Sequence, residues 1–101
     1  MIKSINKEET ERLIQEKEKD KKFVILDIRT PSEFQSENIE GAINIDFYAL
    51  DFRERIAELK KDKTYLIYCR TGSRTKVAME IMRQLQFTDV YEVDEGIVSL
   101  M

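Results

Sequence analysis

The chain has 101 residues, of which 42% are apolar, and its 17 Lys and Arg against 20 Asp and Glu give a net charge of −3. This length suits one domain over residues 1–101, and the acidic balance argues against a general binder of nucleic-acid backbones. The chain has no His and one Cys, which excludes zinc sites built from Cys and His, Ser–His–Asp triads, Cys–His dyads, internal disulfides and Cys-x-x-Cys centres.

The first half of the chain predicts three strands and two helices. Residues 2–5 read as a short edge strand, and Asn6 with Glu9 resembles a capping box that opens a helix through about Lys17, with Leu13 and Ile14 turned inward. The unbroken β-branched run 23–26, ending at Asp27, is typical of a strand covered on both faces. Thr30 and Pro31 favour a short helix near 32–36. Residues 41–45 then read as a short strand.

The second half predicts two strands separated by a loop and a helix, after a helix that carries Phe52, Ile56 and Leu59 on one stripe. Residues 65–68 are a buried strand that ends at Cys69, residues 70–73 form a tight loop, and residues 90–93 are the last strand. The helix after the loop has an apolar face made of Val77, Ala78, Ile81, Met82 and Leu85. This alternation predicts an open α/β sheet, mostly parallel, with helices on both faces and with Asp27 and Cys69 at its ligand-binding edge.

The single cysteine stands in the segment Cys69-Arg70-Thr71-Gly72-Ser73-Arg74-Thr75. A thiol between a strand end and a helix start faces unpaired backbone N–H groups and the positive end of the helix dipole. Gly72 permits a positive φ, so that amides can turn inward around an anion, and Arg70 and Arg74 add fixed positive charge. These features favour the thiolate and make Cys69 a candidate nucleophile; the alternative is a small buried hydrophobic residue.

Four segments, in order, resemble the signatures of the rhodanese family. Residues 24–29 followed by Glu33-Phe34 resemble the opening signature, and residues 38–45 resemble the second, which usually reads His-Ile-x-Gly-Ala-x-Asn. Residues 69–75 resemble the active-site loop of single-domain sulfurtransferases, and residues 93–97 resemble the closing Leu-x-Gly-Gly segment. The chain is therefore identified by resemblance as a single-domain rhodanese.

The resemblance implies a five-stranded parallel sheet flanked by helices, with the Cys69 loop at its centre. It implies that Cys69 takes sulfane sulfur from thiosulfate or a related persulfide donor, becomes a persulfide, and passes the sulfur to a thiophile such as cyanide in an assay or a thiol in a cell. The donor would be a small anion bound by the loop residues Arg70, Thr71, Gly72, Ser73 and Arg74. Asp27 and Arg29 would lie behind the loop and orient it; an ion pair between Arg29 and Glu33, or a helix cap, is the structural alternative.

The remaining expectations concern partners and location. With no second cysteine, the acceptor of the sulfur must be an external thiol or protein. No cofactor, metal, nucleic acid or membrane is implied, and the N-terminus turns charged at once, unlike a signal peptide. No apolar run approaches the ~20 residues that span a bilayer, so a cytoplasmic protein is expected.

Other functions stay open at this stage. A phosphatase is disfavoured, because phosphatases of this fold hold phosphate in a loop with five residues between the cysteine and the arginine, whereas four separate Cys69 from Arg74. A sulfur carrier or docking module with little turnover on free thiosulfate, a binding-only domain and a redox sensor are further alternatives. The chain also departs from the family pattern, with Asn38 for the usual His, Glu95 for the first glycine and Leu100 for a common Trp.

Overall fold

Five strands form one parallel sheet in the computed structural model, which describes residues 1–101. Their order across the sheet is β1-β5-β4-β2-β3, and every neighbouring pair is parallel. Strands β2 and β4 are in register from Phe23 and Thr64 to Asp27 and Tyr68, so their carboxyl ends meet at one edge. The strands are β1 (Ile2–Ile5), β2 (Phe23–Asp27), β3 (Ile43–Asn44), β4 (Thr64–Tyr68) and β5 (Val90–Val93).

Four helices and a final 3-10 turn connect and follow the strands. The capping box predicted at Asn6 and Glu9 is formed, and Thr30 makes a second one with Glu33 ahead of Pro31. No helix combines the length and the apolar character that crossing a bilayer requires. The helices are α1 (Lys7–Lys17), α2 (Pro31–Ser36), α3 (Phe52–Ala57) and α4 (Ser73–Gln84), and the 3-10 turn covers Ile97–Leu100.

The core divides into two clusters, one on each face of the sheet. The larger cluster joins Leu26 and Ile67 of the sheet to Phe52 and Ile56 of α3 and to Met82 of α4. The smaller cluster lies on the other face, where Ile25 and Leu66 pack with the half-buried Leu13 and Ile14 of α1. Adjacent residues of a strand therefore enter different cores, as the unbroken apolar runs predict for a sheet that is covered on both sides. The expected α/β architecture is confirmed.

Three local expectations were wrong. The strand predicted over residues 41–45 is only Ile43–Asn44, because it pairs with β2 over those two positions alone. The helix of Phe52 ends at Ala57, so Leu59 packs against the core from the turn that follows. On α4, Ala78 and Met82 are buried, whereas Val77 is 51% exposed and lies outside the apolar face.

Candidate active site

Cys69 follows β4 directly and occupies the start of the loop that leads into α4. Its side chain is buried, with 1% of the residue exposed, and the backbone N–H of Gly72 donates a hydrogen bond to its Sγ at 3.1 Å. Gly72 has a φ of +102°, a left-handed conformation that turns the chain back so that this amide faces the sulfur. A Cβ at this position would lie 1.9 Å from the carbonyl oxygen of Asp94, so the site requires glycine.

The loop is held from the other side by the segment after β5. The N–H of Ile97 donates to the carbonyl of Cys69 at 2.9 Å, and the N–H of Val98 donates to the carbonyl of Arg70 at 3.2 Å. Gly96, at φ +74°, packs so closely that an added Cβ would lie 2.1 Å from the Arg70 carbonyl oxygen. These contacts occupy carbonyl oxygens of the loop and leave its amides free to face inward.

Most amides of the loop have no partner within the protein. Gly72 donates to the sulfur, but the N–H groups of Arg70, Thr71, Ser73 and Arg74 donate to no other group of the chain. Those of Ser73 and Arg74 belong to the first turn of α4, where no carbonyl is available one turn earlier. Unpaired amides and a helix N-terminus beside a sulfur form a cradle for negative charge.

The two arginines of the loop have different surroundings. Arg74 makes a bidentate pair with Glu33 of α2, at 2.9 and 3.1 Å, and its guanidinium lies 5.6 Å from the centre of the Tyr48 ring. Hydrogen bonding to Arg74 lowers the pKa of Glu33 to about 2, against the opposing effect of burial. Arg70 is exposed and takes part in no ion pair. Arg70 therefore offers uncompensated positive charge at the exposed surface of the loop, while Arg74 ties α4 to α2.

Asp27 and Arg29 form a buried ion pair at the end of β2. Arg29 is 1% exposed, donates to both carboxylate oxygens of Asp27 at 2.8 to 3.2 Å, and reaches the carboxylate of Glu37 at 3.5 Å. Its guanidinium lies 5.4 Å from the centre of the Tyr68 ring, and Tyr68 belongs to the opposite core from Cys69. Burial lowers the pKa of Arg29, but the hydrogen bonds and charge of Asp27 outweigh it and raise that pKa.

The pair thus supports the sheet edge rather than the sulfur. Neither Asp27 nor Arg29 makes a hydrogen bond or an ion pair with the loop that follows Cys69. The alternative pairing of Arg29 with Glu33 was wrong, because Glu33 is taken by Arg74. Arg29 instead forms its ion pair with Asp27, which lies two residues earlier at the end of β2.

The sequence did not indicate that polar side chains of α4 and β5, Thr75 and Glu92, lie beside Cys69. Thr75 Oγ1 lies 3.9 Å from Cys69 Sγ and 2.5 Å from a carboxylate oxygen of Glu92. Glu92 is fully buried on β5 and is also paired with Lys76 at 3.1 Å. The available signal was a carboxylate in the middle of an otherwise apolar strand, Val90–Val93, because a buried charge needs partners.

The aromatic residues before α3 and the positions that depart from the family pattern have packing or capping roles. Phe47 and Phe52 pack edge to face, with ring centres 5.1 Å apart, while Tyr48 is 64% exposed. Asn38 donates to the carbonyl of Phe34 at 2.9 Å, which satisfies an end carbonyl of α2. The departures from the family pattern are accommodated, since Leu100 packs against the smaller core and Glu95 is exposed.

Comparison with known proteins decides the family. The model of the rhodanese-like domain matches residues 7–101. The chain belongs to the rhodanese-like domain family. It is 37% identical over 67 residues to the thiosulfate sulfurtransferase PspE of Escherichia coli, covering 64% of this chain and 62% of that protein. It is 32% identical over 74 residues to the thiosulfate sulfurtransferase GlpE of Pseudomonas syringae, covering 72% and 67%.

The fold is also that of solved rhodanese structures. A rhodanese-related protein from Thermoplasma volcanium superposes with a TM-score of 0.80 at 31% identity, covering 97% of this chain and 89% of that one. Among larger relatives, the probable adenylyltransferase/sulfurtransferase MoeZ of Mycobacterium tuberculosis is 32% identical over 79 residues. That match covers 78% of this chain and 20% of MoeZ, so this rhodanese-like chain spans about a fifth of that protein.

Proposed function

We propose that this rhodanese-like protein is a sulfurtransferase that carries sulfane sulfur on Cys69. The observation that supports it most is the contact of the Gly72 amide with Cys69 Sγ, at 3.1 Å, inside a loop whose other amides are unpaired. Such a loop stabilises a thiolate and then the terminal sulfur of a persulfide, because the Gly72 N–H already donates to the sulfur and the other amides are free to donate to added negative charge. The similarity to PspE and GlpE, both named thiosulfate sulfurtransferases, supports the same reading.

The proposed reaction has two half-reactions through one covalent intermediate. The Cys69 thiolate attacks the outer sulfur of thiosulfate; a bond forms between the two sulfurs, the sulfur–sulfur bond of thiosulfate breaks, and sulfite leaves with the electron pair. Cyanide or a thiolate then attacks the outer sulfur of the persulfide and releases the Cys69 thiolate. Since the chain has one cysteine, the second nucleophile comes from outside.

The exposed positive charge of the cysteine loop suits an anionic donor. Arg70 is exposed and unpaired, so its charge is available to draw thiosulfate toward the loop and to ease the departure of sulfite. Arg74 acts less directly in this proposal, because Glu33 already compensates its charge. Its bidentate pair holds the first turn of α4, and with it the amides of Ser73 and Arg74, in place.

Turnover of thiosulfate and cyanide to thiocyanate and sulfite tests the proposal. We expect activity in the wild-type protein and none above background in Cys69→Ser, and the same loss when the wild type is alkylated, since Cys69 is the only thiol. Full turnover by Cys69→Ser would refute the mechanism. A persulfide that forms but is discharged only by a protein thiol would instead identify the alternative, a sulfur carrier with little turnover on free thiosulfate.

A further inference from the structure

Glu92 is a buried carboxylate that the proposed reaction does not yet use. It is 0% exposed, and its two oxygens contact donors from three directions: Thr75 and Lys76 of α4 and Ser4 of β1. Dehydrating a carboxylate is unfavourable unless its surroundings compensate the charge. A charge in this position next to the cysteine loop therefore calls for an explanation beyond the packing of β5.

A continuous hydrogen-bond chain joins the cysteine to this carboxylate. The Cys69 thiol donates toward Thr75 Oγ1 at 3.9 Å, the longest link, and the Thr75 hydroxyl donates to Glu92 at 2.5 Å. The hydroxyl has one proton, and a charged acceptor at 2.5 Å holds it in preference to the Gly72 carbonyl at 3.0 Å. Lys76 satisfies that carbonyl instead, at 3.2 Å. All three groups are buried, so bulk water does not compete with the chain.

Glu92 shares its one cationic partner with a second carboxylate. Lys76 is the only ammonium on the cluster, and it pairs with two carboxylates, Glu92 at 3.1 Å and Asp94 at 3.0 Å. Two carboxylates therefore face one ammonium, so Lys76 compensates the charge of Glu92 only in part. The β4 strand beside Glu92 contributes no carboxylate or ammonium, and β1 contributes only the Ser4 hydroxyl. On the cysteine side, the charged groups are Arg74, which interacts with Cys69 and is paired with Glu33, and the exposed Arg70.

We propose that Glu92 is the proton acceptor of the Cys69 thiol and that it acts through the Thr75 hydroxyl. The thiol proton moves to Thr75 Oγ1 while the Thr75 proton moves to Glu92. The two hydrogen bonds then have the opposite direction: the neutral Glu92 carboxyl donates to Thr75, and the Thr75 hydroxyl donates to the Cys69 thiolate. No atom is gained or lost, and a chain without histidine obtains a base for its nucleophile. This inference rests on the proposed function for the role of Cys69 as nucleophile.

The rate at which iodoacetamide alkylates Cys69, measured from pH 5.5 to 9.5, tests this proposal without any sulfur donor. We expect Glu92→Gln and Thr75→Val to move the midpoint of the pH profile upward by about 1 unit, and so to slow alkylation near pH 7 about 10-fold. Thr75→Ser retains the hydroxyl and should stay within about twofold of the wild type. Glu95→Gln removes one charge from an exposed site close in sequence and serves as the matched control.

The sign of the shift separates this proposal from a purely electrostatic or structural role. A carboxylate that only places negative charge near the thiol would disfavour the thiolate, so Glu92→Gln would move the midpoint downward. A downward or absent shift in Glu92→Gln would overturn the proposal. If that variant does not fold, as judged by circular dichroism, Thr75→Val tests the hydroxyl by itself, and a downward or absent shift in Thr75→Val would also overturn the proposal. A wild type that shows the relay but takes no sulfur from thiosulfate would contradict the proposed function and leave the relay standing.

Discussion

Replacing Gly72 with alanine should damage the protein far more than the same change at another left-handed glycine. Gly41 and Gly72 have φ values of +87° and +102°, so an alanine at either position bears a common backbone cost of about 1–2 kcal/mol. A Cβ at Gly41 meets nothing within 4 Å, whereas at Gly72 it lies 1.9 Å from the Asp94 carbonyl oxygen. Two backbone segments must separate to relieve that overlap, which adds about 2–3 kcal/mol.

Urea unfolding of the two variants, followed by circular dichroism, measures this difference. We expect Gly41→Ala to lower the free energy of unfolding by about 1–2 kcal/mol and Gly72→Ala to lower it by about 3–5 kcal/mol. Alkylation of Cys69 should also slow in Gly72→Ala, because relieving the overlap moves the amide away from the sulfur. Equal losses in the two variants, within about 0.5 kcal/mol, would show that close packing of the loop against Asp94 does not determine its shape.

Three further predictions follow from the charged groups. Arg70→Ala should raise the KM for thiosulfate about 5-fold or more at low salt and by less at high salt, because the Arg70 charge is unpaired. An equal rise in KM for the surface variant Arg53→Ala would contradict this assignment. Arg74 lowers the pKa of Glu33 to about 2, so the stability that ionised Glu33 supplies is present above about pH 4.5 and is lost as the pH falls toward 2. Glu33→Gln should therefore lack this part of the acid dependence of unfolding. An identical pH profile in the variant and the wild type would show that the pair adds no stability. Asp27→Asn should lower the free energy of unfolding by about 3–5 kcal/mol, because Arg29 is 1% exposed and would lose its buried counter-charge. A melting temperature within about 2 °C of the wild type would refute this prediction.

The elements of the fold could be predicted from the sequence because their signals are local. The capping residues Asn6 and Thr30 lie within four positions of the groups that they cap, and the runs at 23–26 and 65–68 are apolar without a break. The extent of β3 could not be predicted in the same way. Its length depends on how many residues β2 can pair with, and only Ile43 and Asn44 do so.

The sequence predicts the centre of the site, Cys69 and its loop, but not the side chains that contact the loop from other elements. The cysteine, the glycine and the helix start are adjacent in sequence, so their joint chemistry can be inferred without coordinates. The partners of the arginines are distant or ambiguous: Glu33 lies 41 positions from Arg74, and Arg29 has several carboxylates within reach along the chain. Glu92 comes next to Thr75 because β5 pairs with β4 and α4 packs against β5, a contact that no spacing in the sequence indicates.

The central claim is that Cys69 carries sulfur, and the mass of the intact protein tests it most directly. The intact mass of the protein is measured after brief treatment with thiosulfate and again after treatment with cyanide, with Cys69→Ser in parallel. The account predicts a gain of one sulfur atom that maps to Cys69, is removed by cyanide and is absent from the serine variant. A wild-type protein that gains no sulfur from thiosulfate or from a small persulfide donor, or one that gains it equally in Cys69→Ser, would contradict the account.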